Sequence, residues 1–292
     1  MTDRKTISDH TDRRAPQIMG ILNVTPDSFS DGGNYVALES ARAHALSMVE
    51  QGADIIDVGG ESTRPGAQRV DAEVQIARVV DVIAALHECL PAHVGISVDT
   101  TRTIVAERAI AAGATMINDI SAGRDDPEIF RLAYEAGVPL ILMHMRGDPA
   151  TMQIDPYYED VVQEICDFLA QRAQCARSAG IAERNIILDP GIGFGKTKAH
   201  NLALLANLER VVGLGFPVLL GTSRKRFMGA ICHVEQPNQL VPATCATTAL
   251  GVGAGVYMFR VHDVAANRQA ADVAWAIHLA KRAGKKMPPH QP

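Results

Sequence analysis

Polar residues follow most of the short apolar runs of this chain, at the points where those runs end. They are Asn23, the segment 59–66, Asp99, Asn118 and Asp119, His144, Asp189, the segment 223–225, Arg260 and His262. If the runs are parallel strands, these residues meet at one edge of the sheet although they lie far apart in sequence. So many polar groups at one end of a core predict a site for a polar ligand.

Three of these residues could recognise the edge of a nitrogen heterocycle. The carboxylates of Asp99 and Asp189 can each accept two N–H bonds from an amidine-like edge, and the Asn118 amide both donates and accepts. A simpler interpretation is open for Asp99, because a strand-end aspartate followed by threonines is also typical of a helix N-cap.

A second group of residues has the chemistry of a polyanion site. Arg64, Arg260 and His262, with the side-chain oxygen of Asn23, could hold a diphosphate, since arginine binds phosphate through two parallel hydrogen bonds. A diphosphate normally brings Mg²⁺, which accepts an asparagine oxygen, waters and phosphate oxygens without an all-protein cage. The residues therefore predict a ligand in which a heterocycle is joined to a diphosphate.

Two further motifs and one histidine each have more than one interpretation. The glycine-rich segment 191–197 resembles a phosphate-binding loop, but Pro190 stands where the Walker pattern requires its first glycine. Lys225 lies in a basic run, 224–226, which is typical of a solvated turn. Its cationic neighbours could also depress its pKa, so the sequence alone leaves open the alternative of a Schiff-base lysine. His144 ends an apolar run and is more typical of a packed core histidine than of a catalytic one.

The elements that must position these residues alternate along the chain. Apolar runs typical of strands buried on both faces are predicted at 18–24, 54–58, 94–98, 114–117, 139–143, 185–188, 217–220 and 256–261. Amphipathic helices are predicted at 38–51, 71–89, 104–112, 159–179, 200–212 and 264–282, with helix-ending glycines at Gly52, Gly113, Gly137, Gly180 and Gly213. An open doubly wound sheet needs a glycine-rich turn after its first strand, which residues 23–27 do not provide. We therefore predict an α/β fold, a single-domain (β/α)8 TIM barrel over residues 17–283.

Composition limits the class of protein. The chain has 292 residues, 47% of them hydrophobic, and a net charge of −5, which argues against a basic surface for nucleic acid or membranes. Its five cysteines show no metal-binding spacing and no apolar leader or membrane span is present, so we expect a cytoplasmic protein. Residues 1–16 and 284–292 are expected to be flexible tails.

Six motifs in order resemble those of the dihydropteroate synthase family. They are residues 21–33 (ILNVTPDSFSDGG), 57–66 (DVGGESTRPG), 118–120 (NDI), 188–191 (LDPG) with 194–196 (FGK), 223–225 (SRK) and 260–263 (RVHD). The resemblance runs from about residue 17 to about residue 283. It implies a pterin-binding TIM barrel that condenses 6-hydroxymethyl-7,8-dihydropterin diphosphate with p-aminobenzoate in folate biosynthesis, and that is a sulfonamide target.

The resemblance also implies roles for individual residues. The pterin would be bound by Asp99, Asn118, Asp189, Lys225 and Arg260; the diphosphate by Asn23, Thr63, Arg64, Arg260 and His262; and p-aminobenzoate by Thr63, Pro65, Phe194, Lys225 and Arg226. Mg²⁺ would contact Asn23, and the catalytic residues would be Asp99, Arg64, Arg260 and His262. A homodimer is also implied, with the helix around 244–249 and the last helix as candidate surfaces.

One position departs from the family pattern. Family members commonly have serine after the lysine of the Ser-Arg-Lys motif, whereas this chain has Arg226, which could bind the p-aminobenzoate carboxylate directly or crowd a sulfonamide. Two alternatives share the ring-binding residues: a pterin-dependent methyltransferase, which needs no diphosphate site, and a non-catalytic pterin-binding protein. The intact anion-binding residues favour the synthase.

Overall fold

The computed structural model describes residues 15–24, 33–62, 66–67 and 69–284. Within these ranges eight strands alternate with ten helices. The strands are β1 (Gln17–Asn23), β2 (Ile55–Gly59), β3 (Gly95–Asp99), β4 (Met116–Asp119), β5 (Leu140–Met143), β6 (Ile186–Asp189), β7 (Leu219–Leu220) and β8 (Met258–Val261). The helices are α1 (Gly33–Glu50), α2 (Ala72–Cys89), α3 (Thr103–Ala111), α4 (Glu128–Ala136), α5 (Val161–Ser178), α6 (Lys198–Ala206), α7 (Leu208–Val212), α8 (Arg226–Cys232), α9 (Val241–Ala254) and α10 (Val264–Gly284).

The strands close into a barrel. Every strand pair is parallel, and the order is β6-β5-β4-β3-β2-β1-β8-β7. The two ends of that order meet at a parallel bridge between Leu188 and Val218. The predicted (β/α)8 barrel is thereby confirmed, and each predicted strand overlaps an observed one.

Two apolar layers hold the barrel together. The larger one lies between the outer strand faces and the helices. The smaller one fills the barrel interior and takes one residue from each of seven strands: Met19, Ile55, Met116, Ile141, Ile187, Leu219 and Met258. This inner layer is a packed floor, so a ligand has to bind above it, where the strands end.

One local prediction about the helices was wrong. The single helix expected over 200–212 is two helices, α6 and α7, because the backbone of Asn207 leaves the helical region (φ −126°, ψ 30°). The Asn207 amide donates to the carbonyl of Ala203 over 2.8 Å and holds this break. Gly213 ends α7 as predicted, with φ −62°, and the glycine with positive φ that follows it is Gly215. The other four helix-ending glycines have positive φ, as predicted.

The chain ends are only partly described. The predicted N-terminal tail, 1–16, lies outside the described residues except for its last two, and Pro16 is buried with its carbonyl accepting from Arg268 over 3.0 Å. Of the predicted C-terminal tail, only Gly284 is described, as the last residue of α10. None of the described helices combines the length and the apolar character needed to span a membrane.

Candidate active site at the barrel mouth

Strand alternation places polar side chains directly above the inner apolar layer. Because successive side chains of a strand point to opposite faces, residues two positions apart share the inner face. The residues two positions after inner-layer side chains are Asp57 after Ile55, Asn118 after Met116, Asp189 after Ile187, and Arg260 after Met258. Asp99 ends β3 in register with Asn118. The sequence prediction that Asp99, Asn118, Asp189 and Arg260 meet at one mouth thus agrees with the barrel geometry.

Arg260 is at the centre of a buried hydrogen-bond network. Its Nε donates to Asp57 Oδ2 over 2.6 Å, and its Nη2 donates to Asp99 Oδ2 over 2.8 Å. The Asn118 amide Nδ2 donates to the same Asp57 oxygen over 3.1 Å. Asp99 therefore does not act as the helix N-cap that its position also permitted; α3 begins without a side-chain cap.

Burial and the opposite charges within this network have opposing effects on the pKa of Asp99 and on the pKa of Arg260. Burial raises the pKa of Asp99 to about 7, although Arg260 opposes the shift, and the nearby carboxylate of Asp57 raises it further. Burial also works against the charge of Arg260, but Asp57 and Asp99 outweigh it and raise the pKa of the guanidinium. At neutral pH the site therefore holds a carboxyl group close to its midpoint beside a permanent cation.

A second ionisable pair lies on the other side of the barrel mouth. Burial raises the pKa of Asp189 to about 6, against the effect of the Gly191 N–H, which donates to its Oδ1 over 2.7 Å. Burial and the charge of Arg260 lower the pKa of Lys225 to about 8, and Asp189 opposes that shift. The Lys225 ammonium lies 4.1 Å from the centre of the Phe194 ring, a cation–π contact. Lys225 and Phe194, both predicted to bind p-aminobenzoate, are thus neighbours.

The glycine-rich segment 191–197 is held by a buried lysine rather than built around a phosphate. Lys196 is 3% exposed, and its ammonium donates to the carbonyls of Gly191 (2.8 Å) and Phe194 (2.9 Å). It also lies 2.9 Å from Nδ1 of His144. Burial lowers the pKa of His144 to about 2, so the imidazole is neutral. His144 is the packed core histidine that its apolar context indicated, and the segment carries Phe194 toward Lys225.

The motif 223–225 and the end of β8 contact each other. Ser223 Oγ lies 2.9 Å from His262 Nδ1 and accepts from the backbone N–H of His262 over 3.0 Å. Arg224 makes a two-point ion pair with Asp263, at 2.9 and 2.7 Å. Arg226 is exposed and begins α8 directly after Lys225. The basic run is therefore not a uniformly solvated turn, because only Arg226 is exposed.

Asn23 reaches the same mouth from β1. In the strand register Asn23 is opposite Gly59, and Gly59 is opposite Asp99. A Cβ atom at Gly59 would lie 3.7 Å from Asn23 Oδ1 and 3.6 Å from Asp99 Cβ, so the glycine leaves open the space between them. Asp99 also lines a solvent-open cleft with Glu61, Ile120 and Met145.

Three predicted residues lie outside the described ranges, and one buried residue was missed. Thr63, Arg64 and Pro65, assigned to diphosphate and p-aminobenzoate, cannot be placed relative to the network. Asp57 was not predicted, although it contacts two predicted residues and is 0% exposed. A charged residue at the inner position of an apolar strand, two residues before Gly59, is the signal that could have identified it.

Comparison with known proteins decides the family. A family model described as pterin binding enzyme matches residues 19–262. The dihydropteroate synthase of Synechocystis sp. is 46% identical over 260 residues, which cover 89% of each chain. The chain belongs to the dihydropteroate synthase family. It is an enzyme of folate synthesis, a transferase.

Solved structures of dihydropteroate synthases share this fold. The Xanthomonas albilineans enzyme, solved with 4-aminobenzoic acid, has a TM-score of 0.84 and 46% identity, covering 90% of this chain and 93% of its own. The Yersinia pestis enzyme, solved with a sulfonamide drug, has a TM-score of 0.85 and 42% identity, covering 92% and 96%. Membership of the dihydropteroate synthase family confirms the resemblance and favours this activity over a methyltransferase.

Proposed function

We propose that the barrel mouth condenses 6-hydroxymethyl-7,8-dihydropterin diphosphate with p-aminobenzoate, giving 7,8-dihydropteroate and diphosphate, through the residues described above. The observation that carries the proposal is the convergence of Asp99, Asn118, Asp189 and Arg260 above the apolar floor. Relatives solved with 4-aminobenzoic acid and with 7,8-dihydropteroate support the choice of substrates.

The side chains assigned to the pterin form a pocket, the ring pocket, which would bind the polar edge of the pterin through hydrogen bonds. Asp99 and Asp189 accept the N–H groups of its amidine-like edge, and Asn118 supplies both a donor and an acceptor. The Lys225 ammonium donates a hydrogen bond to an acceptor atom of the pterin ring and keeps its contact with the Phe194 ring. In this assignment Lys225 makes no covalent bond, so borohydride trapping of substrate on Lys225 would contradict it.

The anion would lie at the side of the mouth where β1 and β8 end. The residues assigned to the diphosphate are Asn23, Thr63, Arg64, Arg260 and His262. The amide oxygen of Asn23 is a hard donor of the kind Mg²⁺ accepts, and Gly59 leaves space beside it. No group of three His, Cys, Asp or Glu side chains among the described residues could hold a metal, so waters and phosphate oxygens would complete the shell. When bound, Mg²⁺ would neutralise negative charge on the diphosphate.

The reaction would proceed by separation of charge. The bond between the pterin methylene carbon and the diphosphate oxygen breaks, and diphosphate leaves with the electron pair. The arylamine nitrogen then forms a bond to the methylene carbon and loses its proton to solvent. Asp99 stabilises positive charge on the ring, whereas Arg64, Arg260 and His262 stabilise negative charge on the leaving group. We expect the loops at 27–33 and 62–66, most of whose residues lie outside the described ranges, to close over the cation and exclude water.

The p-aminobenzoate would bind at the outer side of the ring pocket. Phe194 and Lys225 lie together there, and the exposed Arg226 follows Lys225 at the start of α8. A guanidinium can pair with the carboxylate of p-aminobenzoate through two parallel hydrogen bonds. Thr63 and Pro65, which lie outside the described residues, are also assigned to this pocket.

The experiment is a turnover assay with purified protein, both substrates and Mg²⁺. Dihydropteroate should form, and Arg260→Ala should lower kcat/KM roughly a hundredfold or more because it removes charge stabilisation. Arg131→Ala is the matched control, since Arg131 forms only exposed ion pairs with Glu128 and Glu135 on α4. Near-normal turnover of Arg260→Ala would refute its assignment. If the protein binds the pterin diphosphate but never converts it, the activity is refuted and the chain is a non-catalytic pterin-binding protein.

The homodimer is proposed on the outer faces of α9 and α10. These helices pack against each other and carry exposed apolar residues, Leu250, Val273 and Ile277. Burying them against a second copy would remove apolar surface from water. Val273→Glu with Ile277→Glu should shift the sedimentation coefficient to that of a monomer. Ile154→Glu, which changes an equally apolar exposed residue in the segment after β5, should not.

The cytoplasm is the proposed location. All five cysteines are free thiols, and the one that is exposed, Cys232, would be open to oxidation in an oxidising compartment. Fractionation of cells of the source organism, with activity measured in each fraction, tests this location.

A further inference from the structure

Asp57 is the one fully buried carboxylate of the ring pocket, among the described residues, that none of the proposed substrate contacts uses. It is 0% exposed and is opposite Ser97 in the strand register, one inward position before the Gly59–Asp99 pair. The inward series of β2 is thus Ile55, Asp57, Gly59. Because the last member is glycine, the strand places no side chain between Asp57 and the space above it.

Asp57 Oδ2 accepts two hydrogen bonds from residues that are themselves proposed to touch the pterin. One comes from Arg260 Nε over 2.6 Å and the other from Asn118 Nδ2 over 3.1 Å. The three residues come from β2, β4 and β8, and Asp57 and Arg260 are separated by 203 positions in the chain. A single oxygen therefore joins two ligand-binding side chains from separate strands.

The contact with Asn118 fixes which way that amide faces. Asp57 Oδ2 already accepts from Arg260 Nε and also accepts from Asn118 Nδ2, so the NH2 end of the amide faces Asp57. The Asn118 carbonyl oxygen must then face away. This decides the pattern of donor and acceptor that Asn118 presents, which would otherwise be free to reverse by rotation of the amide.

The contact with Arg260 fixes the plane of the guanidinium. Nε and Nη2 are bound by carboxylates from two different strands, and these two points define the orientation of the planar group. Without Asp57, the guanidinium would be tied to Asp99 alone and could rotate about that contact. Its charge would then be balanced by one buried carboxylate instead of two.

We propose that Asp57 is a positioning residue of the ring pocket, which orients the Asn118 amide and the Arg260 guanidinium for the pterin without touching the substrate. The proposal rests on the proposed function. It implies that the negative charge of Asp57, and not just its volume, is required, because a neutral amide at this position could donate to Asn118 and allow the reversed orientation.

Asp57→Asn tests the proposal with almost no change in volume. The dissociation constant of the dihydropterin substrate should rise roughly ten- to a hundredfold, the effect of losing a buried hydrogen bond to a charged group. The KM for p-aminobenzoate should change little. Ser97→Ala is the matched control, because Ser97 is buried opposite Asp57 and its hydroxyl has no hydrogen-bond partner among the described residues.

A double-mutant cycle separates positioning from general damage. If Asp57 acts through Asn118, then Asp57→Asn should weaken pterin binding much less in an Asn118→Ala background than in the wild type. Additive effects of the two substitutions would overturn the proposal, as would wild-type pterin affinity in Asp57→Asn. Failure of the wild-type chain to bind pterin would instead refute the proposed function.

A measurement on the unchanged chain covers the case in which Asp57→Asn does not fold. The side-chain amide protons of Asn118 can be assigned by NMR from their loss in Asn118→Ala. The Asn118 Nδ2 proton that is hydrogen-bonded to Asp57 should exchange with solvent more slowly than the other proton on the same nitrogen. Equal exchange rates for the two protons would overturn the proposed orientation.

Discussion

Gly191 offers a test of how tightly the segment after β6 is held against the end of β5. Its backbone has φ +64°, and a Cβ atom added there would lie 1.9 Å from the carbonyl oxygen of His144. Gly137, after α4, has almost the same backbone conformation, φ +66°, but a Cβ atom there would have nothing within 4 Å. The substitutions Gly191→Ala and Gly137→Ala therefore share the backbone strain and differ in the clash.

The two costs can be estimated separately. The left-handed conformation costs an alanine about 1–2 kcal/mol, part of which is offset because alanine restricts the unfolded chain. Gly137→Ala should therefore lower the free energy of unfolding by about 1 kcal/mol. At Gly191 the carbonyl must also move by about 1.5 Å to reach the 3.4 Å at which ordinary contacts begin. Overpacking of this kind adds about 1–3 kcal/mol, so the total loss at Gly191 should be about 3 kcal/mol.

The backbone movement that the added Cβ atom of Gly191→Ala causes should also shift active-site residues. The Gly191 N–H donates to Asp189 Oδ1 over 2.7 Å, and alanine keeps this donor. Any loss of activity in Gly191→Ala therefore reports movement of Asp189 and its loop rather than a missing hydrogen bond. Misplacement by about 1 Å can lower a rate roughly a hundredfold. Gly137→Ala should retain wild-type kcat/KM.

Urea unfolding followed by circular dichroism gives the free energies, and the dihydropteroate assay gives the rates. The comparison is made between the two variants and not only with the wild type, so the shared backbone strain cancels. Equal losses of stability in the two variants, or wild-type turnover in Gly191→Ala, would refute the reasoning that the His144 carbonyl fixes this loop.

Three further predictions concern residues around the site. Because the pKa of Lys225 is lowered to about 8, kcat/KM should fall as the pH rises through that value and the Lys225 ammonium loses its proton. Lys225→Arg should abolish this fall of kcat/KM at high pH. A fall that persists in Lys225→Arg would contradict the proposed role of the Lys225 ammonium in binding the pterin. Lys196→Met leaves buried carbonyls without a donor and should lower the free energy of unfolding by at least about 3 kcal/mol in urea; an unchanged midpoint would contradict this. Ser223→Ala removes the hydroxyl that contacts Nδ1 of His262 and should lower kcat roughly tenfold with little change in the thermal midpoint; an unchanged kcat would show that Ser223 does not orient the imidazole.

The parts of the fold and site that could be predicted follow from local rules. Apolar runs separated by helices predicted the strands, and polar residues at the run ends predicted the mouth. Asp99, Asn118 and Asp189 each end or nearly end a strand, so strand boundaries alone were sufficient to bring them together. No knowledge of which strand neighbours which was needed.

The parts that could not be predicted depend on pairing across the barrel. Asp57 lies inside an apolar run, and its partner Arg260 is 203 positions away. No periodicity in a single sequence links two such positions. Likewise, the break at Asn207 depends on a side chain that bonds its own helix, and the burial of Lys196 depends on three acceptors that the fold brings to it.

The charges in the ring pocket bear on how the reaction separates its own charges. Three carboxylates, Asp57, Asp99 and Asp189, lie among three buried cations, Arg260, Lys225 and Lys196, so the charges balance when all six groups are ionised. Nε and Nη2 of Arg260 are already bound to carboxylates, which reduces the positive charge it presents to the ring. The carboxylates proposed to contact the ring, Asp99 and Asp189, would nevertheless stabilise a pterin cation more than the neutral pterin. Because Arg260 shares its charge with these carboxylates, we expect Arg64, His262 and Mg²⁺, which are assigned to the diphosphate together with Arg260, to supply much of the positive charge that stabilises the leaving group.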